Sequence, residues 1–218
     1  MRMKIITAVC LVSAALFACQ TDAYPQDIKA IKLPAPQMQG GKPLMQVLKE
    51  RKTDRAFSSK ELPPQVLSDM LWAANGINRP DSGRRTAPSA KNMQEIDVYV
   101  AKADGVYLYD AKANALTPVI AGDIRALTGK QAFVKDAPVN LIFLADYSKT
   151  SDLQEADANF YAATDTGFIS ENVYLFCSSS GLATVVRAMI DKPALAKAMK
   201  LRPDQKVILS QTVGYPKD

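Results

Sequence analysis

An α+β fold, with helices flanking a central, mostly antiparallel sheet, is predicted by three observations. Helical and strand patterns follow the order helix, helix, hairpin, strand, long helix, strand. The strand patterns EIDVYVAK and GVYLYD meet at ADG, a hairpin signal. PVNLIFLAD, 138–146, is continuously apolar, as a strand covered on both faces should be.

The first 19 residues read as a signal peptide. Arg2 and Lys4 supply positive charge, and Ile5 to Phe17 form an apolar run too short to span a bilayer. LFAC, ending at Cys19, resembles a bacterial lipobox, with Phe17 unusual at its position. Lipidation would make Cys19 the mature N-terminus; the alternative is plain cleavage without lipid. The expectation is an exported bacterial protein, lipid-anchored in the cell envelope or soluble in the periplasm. Residues 20–42, rich in proline and glycine, read as an extended tether, and 43–218 as the folded domain.

Pro43 suits the first turn of a helix running through PLMQVLKERK. A second helix follows ELPP, with Val66, Leu67, Met70, Leu71 and Ala74 at helical spacing and Gly76 as its stop. Residues 77–94, with Pro80, Gly83 and Pro88, read as a loop of functional length. Residues 118–136 are ambiguous, with a helix expected around DIRAL. The longest helical pattern runs from about Asn159 to Ser180. It places Phe168, Ile169, Asn172, Val173, Leu175, Phe176 and Ser179 inward and ends at Gly181. LATVV is a short strand or extended turn, DKPALAKAMK a helix, and KVILSQTVGY the last strand.

Composition narrows the chemistry. The 218 residues include no histidine, which removes the usual general base, the Ser-His-Asp triad and the usual zinc ligands. No metal site is expected. The net charge of +5 is mild and forms no basic stripe interleaved with aromatics, so nucleic-acid binding is not expected. Of three cysteines, Cys10 lies in the leader, Cys19 is the lipid candidate, and Cys177 reads as a small buried hydrophobe.

Three stretches could carry a ligand. RKTDR, 51–55, packs Arg51, Lys52 and Arg55 around Thr53, donors that suit an anion; on charge alone a solvated helix end is the better explanation. RRTAPSAKNMQ, 84–94, brings a rigid proline, small residues, and the amides of Asn92 and Gln94, suited to the edge of a flat heterocycle. GLATVVRA, 181–188, offers small and apolar groups and backbone N–H groups to a ring face; taken alone, it reads rather as a buried connector, and 84–94 as a plain loop with a polar turn. LTGK, 127–130, lacks the first glycine and the Ser/Thr of a P-loop.

LPAP, RKTDRAF, LWAANGI, RTAPSAKNMQEIDVYV, GVYLYD, ENVYLFCSSSGLATVV and VGYP stand in one order along residues 31–216. Together they resemble the nitroreductase family of FMN-dependent oxidoreductases, most closely the branch containing SagB-type azoline oxidases. The resemblance implies a nitroreductase-like homodimer with FMN at the subunit interface. It implies that Arg51, Lys52 and Thr53 cradle the FMN phosphate and ribityl chain, with Arg55 near the pyrimidine edge. It also implies that Pro88, Ser89, Ala90 and Asn92 touch the flavin, and that Val186, Arg187 and Ala188 lie near N5. The implied reaction is ping-pong, with NAD(P)H as co-substrate and a nitroaromatic or quinone as acceptor. No catalytic side chain is assigned.

Two departures stand out. Only Lys217 follows GYP, where relatives carry a further basic phosphate contact. Arg187 occupies a place often held by smaller residues, where it would narrow the substrate site, select anions, or simply form a salt bridge. The leader raises a conflict, because NAD(P)H is cytoplasmic. An exported flavin oxidase or dehydrogenase, azoline-oxidase-like, and a non-catalytic flavin-binding lipoprotein are therefore the alternatives.

Overall fold

A computed structural model describes residues 27–217. The leader and Cys19 lie outside the described residues.

Seven strands form one sheet: β1 (Ile31–Lys32), β4 (Ile96–Ala101), β5 (Gly105–Asp110), β6 (Ala115–Ala121), β7 (Val139–Asp146), β8 (Ala183–Arg187) and β9 (Gln205–Gly214). Their order across the sheet is β1-β6-β5-β4-β7-β9-β8, and every pairing is antiparallel. A separate hairpin joins β2 (Ile77–Arg79) to β3 (Arg84–Arg85). The helices are α1 (Leu44–Glu50), α2 (Pro64–Asn75), α3 (Glu155–Ser180) and α4 (Lys192–Ala198).

The apolar run of β7 has the predicted consequence: all eight of its residues are buried. Strand alternation sends Leu141 and Phe143 to one face, where Met70 and Leu71 of α2 and Ile169 and Val173 of α3 meet them. Ile142 and Leu144 face the other way, onto Leu195 and Met199 around α4. Helices thus cover both faces of the sheet, as the α+β reading expects.

Several local expectations are corrected. Residues 115–121 form strand β6, whose second half, from Pro118 on, falls in the stretch the sequence left ambiguous. The strand accommodates Pro118 where its register against β5 shifts. The helix expected around DIRAL is a short 3₁₀ turn, Arg125–Thr128. The loop 77–94 contains the β2–β3 hairpin and a 3₁₀ turn at Ala90–Asn92. α3 starts at Glu155, and Phe168, expected inward, is 43% exposed.

Both helix-stopping glycines are in place, for different reasons. Gly181 caps α3 with φ 68°, the left-handed conformation that favours glycine. Gly76 has an ordinary φ of −74°; there a Cβ would come within 2.4 Å of Trp72 Cδ1.

Residues 27–42 are extended but fastened to the domain. Ile31 and Lys32 pair with Leu116 and Ala115, Leu33 is buried, and the Pro34 carbonyl accepts from Ser68 Oγ and Asn114 Nδ2. At the other terminus, Phe57 bridges to Pro216, and the Lys217 N–H donates to the Ala56 carbonyl.

Candidate functional site

β8 is an edge strand, so its outward backbone groups need partners from elsewhere. The segment after α1 supplies one. The chain leaves the helix at Arg51, with ψ 122°, and the Asp54 N–H donates to the Thr184 carbonyl at 3.0 Å. Tyr174 of α3 supplies the other, its hydroxyl accepting the Val186 N–H at 3.1 Å. The same hydroxyl lies 3.0 Å from Thr53 Oγ1, and the Arg51 guanidinium stands 5.3 Å from the ring centroid. Tyr174 therefore joins Arg51 and Thr53 to Val186.

The rest of RKTDR spreads outward. Lys52, its side chain 77% exposed, sits 3.6 Å from Asp54. Both line a cavity of about 290 Å³ with Lys42, Glu50, Ser178 and Thr184. Arg55 lines a different cleft of about 840 Å³, shared with Arg125, Lys135 and Lys217. Arg51 and Arg55 have no hydrogen-bond or ion-pair partner for their guanidinium groups among the described residues, so both remain free to hold an anion.

The 88–92 loop packs farther along α3. Pro88 and Asn92 are exposed, while Ser89 and Ala90 are half-buried. Lys91, Asn92 and Gln94 all take positive φ, near 50°, unusual for residues with side chains. Hydrogen bonds fix this turn. Gln94 N–H donates to Ser89 Oγ at 2.8 Å, and Gln94 Nε2 to Asn92 Oδ1 at 3.1 Å. The Ala90 N–H donates to Asp165 Oδ2 at 2.8 Å. Beneath the loop lies Glu95, 0% exposed, its Oε2 accepting from Ser89 Oγ at 3.3 Å. Burial, and then the adjacent Asp165 carboxyl, hold the Glu95 carboxyl above the ordinary glutamate range.

One chain does not bring the two groups together. Their anchors, Asp165 and Tyr174, are nine positions apart on α3, about 13 Å along the helix axis.

Arg187 corrects an expectation. Its side chain neither opens toward a substrate site nor meets a carboxylate; it turns into the sheet and is 5% exposed. It donates to the Thr128 carbonyl at 2.7 Å, Asn140 Oδ1 at 2.9 Å and Thr212 Oγ1 at 2.8 Å. Gly129 leaves the room: a Cβ there would fall 1.7 Å from the guanidinium. Burial pushes the arginine down to about 10. Arg187 thus keeps only its backbone for a ligand, whereas Ala188 beyond it is exposed.

The Nitroreductase family model matches residues 48–215. The chain belongs to the nitroreductase family. It is 32% identical over 152 residues to a candidate nitroreductase of Methanocaldococcus jannaschii, an alignment covering 65% of this chain and 76% of that one. The crystal structure of a candidate nitroreductase from Ralstonia eutropha superposes with a TM-score of 0.84 at 41% identity, covering 88% of this chain and 91% of that one. The nitroreductase fold extends to the NADPH:FMN oxidoreductase from Vibrio harveyi complexed with NAD+, with a TM-score of 0.59 and 18% identity over 80% of this chain and 69% of that one.

Sequence reasoning missed Tyr174, Glu95 and Asp165 in this nitroreductase-family chain. Tyr174 did carry a signal: it shares a helical face with Ser170, Val173 and Cys177, all buried. A tyrosine on a buried face needs a partner for its hydroxyl.

Proposed function

We propose that the protein is an FMN-dependent oxidoreductase. In this reading it transfers hydride between NAD(P)H and a small organic acceptor, such as a nitroaromatic or a quinone, by a ping-pong mechanism. The observation that carries the reading is the convergence of Arg51, Thr53 and Val186 on Tyr174. These positions, assigned to the phosphate end and the ring by family resemblance, come from distant parts of the chain. The family match and the NADPH:FMN oxidoreductase of the same fold support it.

The residues fit the cofactor. Arg51 and Lys52 would hold the phosphate by charge, and Thr53 would offer a hydroxyl to the ribityl chain. Arg55 would stabilise negative charge at the pyrimidine edge. Pro88, Ser89, Ala90 and Asn92 would bound the ring, and the backbone of Val186 to Ala188 would face N5. Bound FMN would supply the hydride chemistry.

The separation of Ser89 and Ala90 from Thr53 supports a homodimer, in which a second copy completes each site. α1 exposes Leu44, Met45 and Leu48, and α3 exposes Phe160 and Phe168, an apolar surface of the kind subunit interfaces cover.

The test is the visible spectrum of purified protein before and after anaerobic NADPH or NADH. Flavin bands that bleach support the reading. Bands that persist favour a second reading, an exported flavin oxidase or dehydrogenase, which the leader-like residues 1–19 suggest. A protein that takes up no flavin even from added FMN overturns both.

A further inference from the structure

We propose that Glu95 and Asp165 share one proton, and that this proton holds the 88–92 loop in its left-handed turn. The consequence for a flavin rests on the proposed function; the pair itself does not.

Glu95 Oε1 is buried and has no hydrogen-bond donor among the described residues. The Asp165 carboxyl, itself 3% exposed, is held on the same turn: Ala90 N–H donates to it, one residue from the Ser89 hydroxyl that donates to Glu95. Two ionised carboxylates in dry contact repel strongly. One proton between them turns the repulsion into a short, charge-assisted O–H···O bond and satisfies the orphaned oxygen.

The surrounding groups leave no other source of compensation. Neither carboxylate has an ion-pair partner among the described residues. Lys149, on the turn after β7, is engaged by Asp97 Oδ1 and the Gln94 carbonyl. Arg85, of β3, is engaged by Gln94 Oε1 and the Asn75 carbonyl. Tyr147 adds only a neutral phenol, itself raised by burial. The Asp146 N–H reaches the Glu95 backbone carbonyl and not its carboxyl.

A closed ring results. Ala90 N–H donates to Asp165; the shared proton joins Asp165 to Glu95; Ser89 O–H donates to Glu95; Gln94 N–H donates to Ser89 Oγ. Three residues of strained φ close this turn, so the ring fixes a shape the backbone does not prefer. Losing the proton sets two buried negative charges against each other and frees the loop.

The sign of the pH effect follows. The folded state holds the proton more tightly than the unfolded state. Its contribution is full below the unfolded value, falls as pH rises, and is gone above the raised folded value.

Two measurements test this. Infrared difference spectra over a pH titration should show a carboxyl band in the wild type that stays protonated above the pH at which exposed carboxyls have ionised, and that is absent from Glu95→Gln. Hydrogen exchange of the 86–94 segment, corrected for the intrinsic rate, should lose protection by roughly tenfold per pH unit across the transition. In Glu95→Gln, whose amide donates to Asp165 without titrating, that loss should vanish. If Glu95→Gln does not fold, Asp165→Asn, which removes the second carboxyl and offers Glu95 an amide donor, should move the transition to lower pH. No protonated band, or an unchanged pH response in the variant that folds, overturns the proposal. A protein with the band and the pH response but no flavin binding keeps the pair and rejects the flavin reading.

Discussion

The hydroxyl of Tyr174 lies 3.0 Å from the hydroxyl of Thr53, although the two residues are 121 positions apart in the chain. Because Tyr174 also accepts the Val186 N–H, its own proton is free for Thr53. One oxygen therefore sets the spacing between the helix-exit segment and the edge strand.

Tyr174→Phe should strip the Val186 N–H and Thr53 of their shared partner. The expected loss of stability is about 1–3 kcal/mol. In the proposed function, FMN affinity should fall as well. Urea unfolding and FMN titration check the two effects separately; unchanged values in both would show that the hydroxyl positions nothing.

Arg187→Ala should be among the most damaging single changes. It removes one of two donors from the Thr128 carbonyl and from Asn140 Oδ1, takes the donor from Thr212 Oγ1, and opens a cavity beside Gly129. A loss of about 3 kcal/mol or more is expected, measured by chemical unfolding. Activity per folded molecule should change little, since the guanidinium points away from the proposed site.

Asp146 and Arg202 should contribute to acid sensitivity. Burial alone would raise the Asp146 carboxyl, but hydrogen bonds from Ser148 and Arg202 outweigh it and hold it below the ordinary aspartate range. A lowered carboxyl stabilises the fold above its unfolded value and loses that contribution as pH falls through the folded value. The guanidinium is half exposed, so Arg202→Ala should cost little near neutral pH. Melting curves of the variant and the wild type should converge in acid.

Cys177 should be inert in the native state. Its thiol is fully buried and burial pushes it well above the usual cysteine range. A maleimide should label it only after denaturant is added, at a rate set by unfolding. Rapid labelling without denaturant would place the C-terminal part of α3 in an open state.

Much of this architecture was legible because it follows from periodicity and punctuation. The apolar run of β7, the spacing on α2 and the cap at Gly181 each have one physical solution. β6 was not legible, since Pro118 hides a strand that only its bulged pairing with β5 allows. The candidate site was legible as three stretches but not as a geometry. What joins them, a tyrosine hydroxyl and a buried carboxyl pair, depends on which α3 residues face β8 and which face the 88–92 loop. Arg187 shows the limit most clearly. Its position in the sequence suggested a substrate contact, and strand alternation turned it inward.

The sheet order has a geometric outcome for the molecule as a whole. β1, near the start of the described residues, and β8, the edge proposed to face a ligand, occupy opposite margins of the sheet, six strand spacings and roughly 29 Å apart. A molecule moored through the residues ahead of β1 would carry its working margin on the far side from the mooring, open to whatever diffuses past.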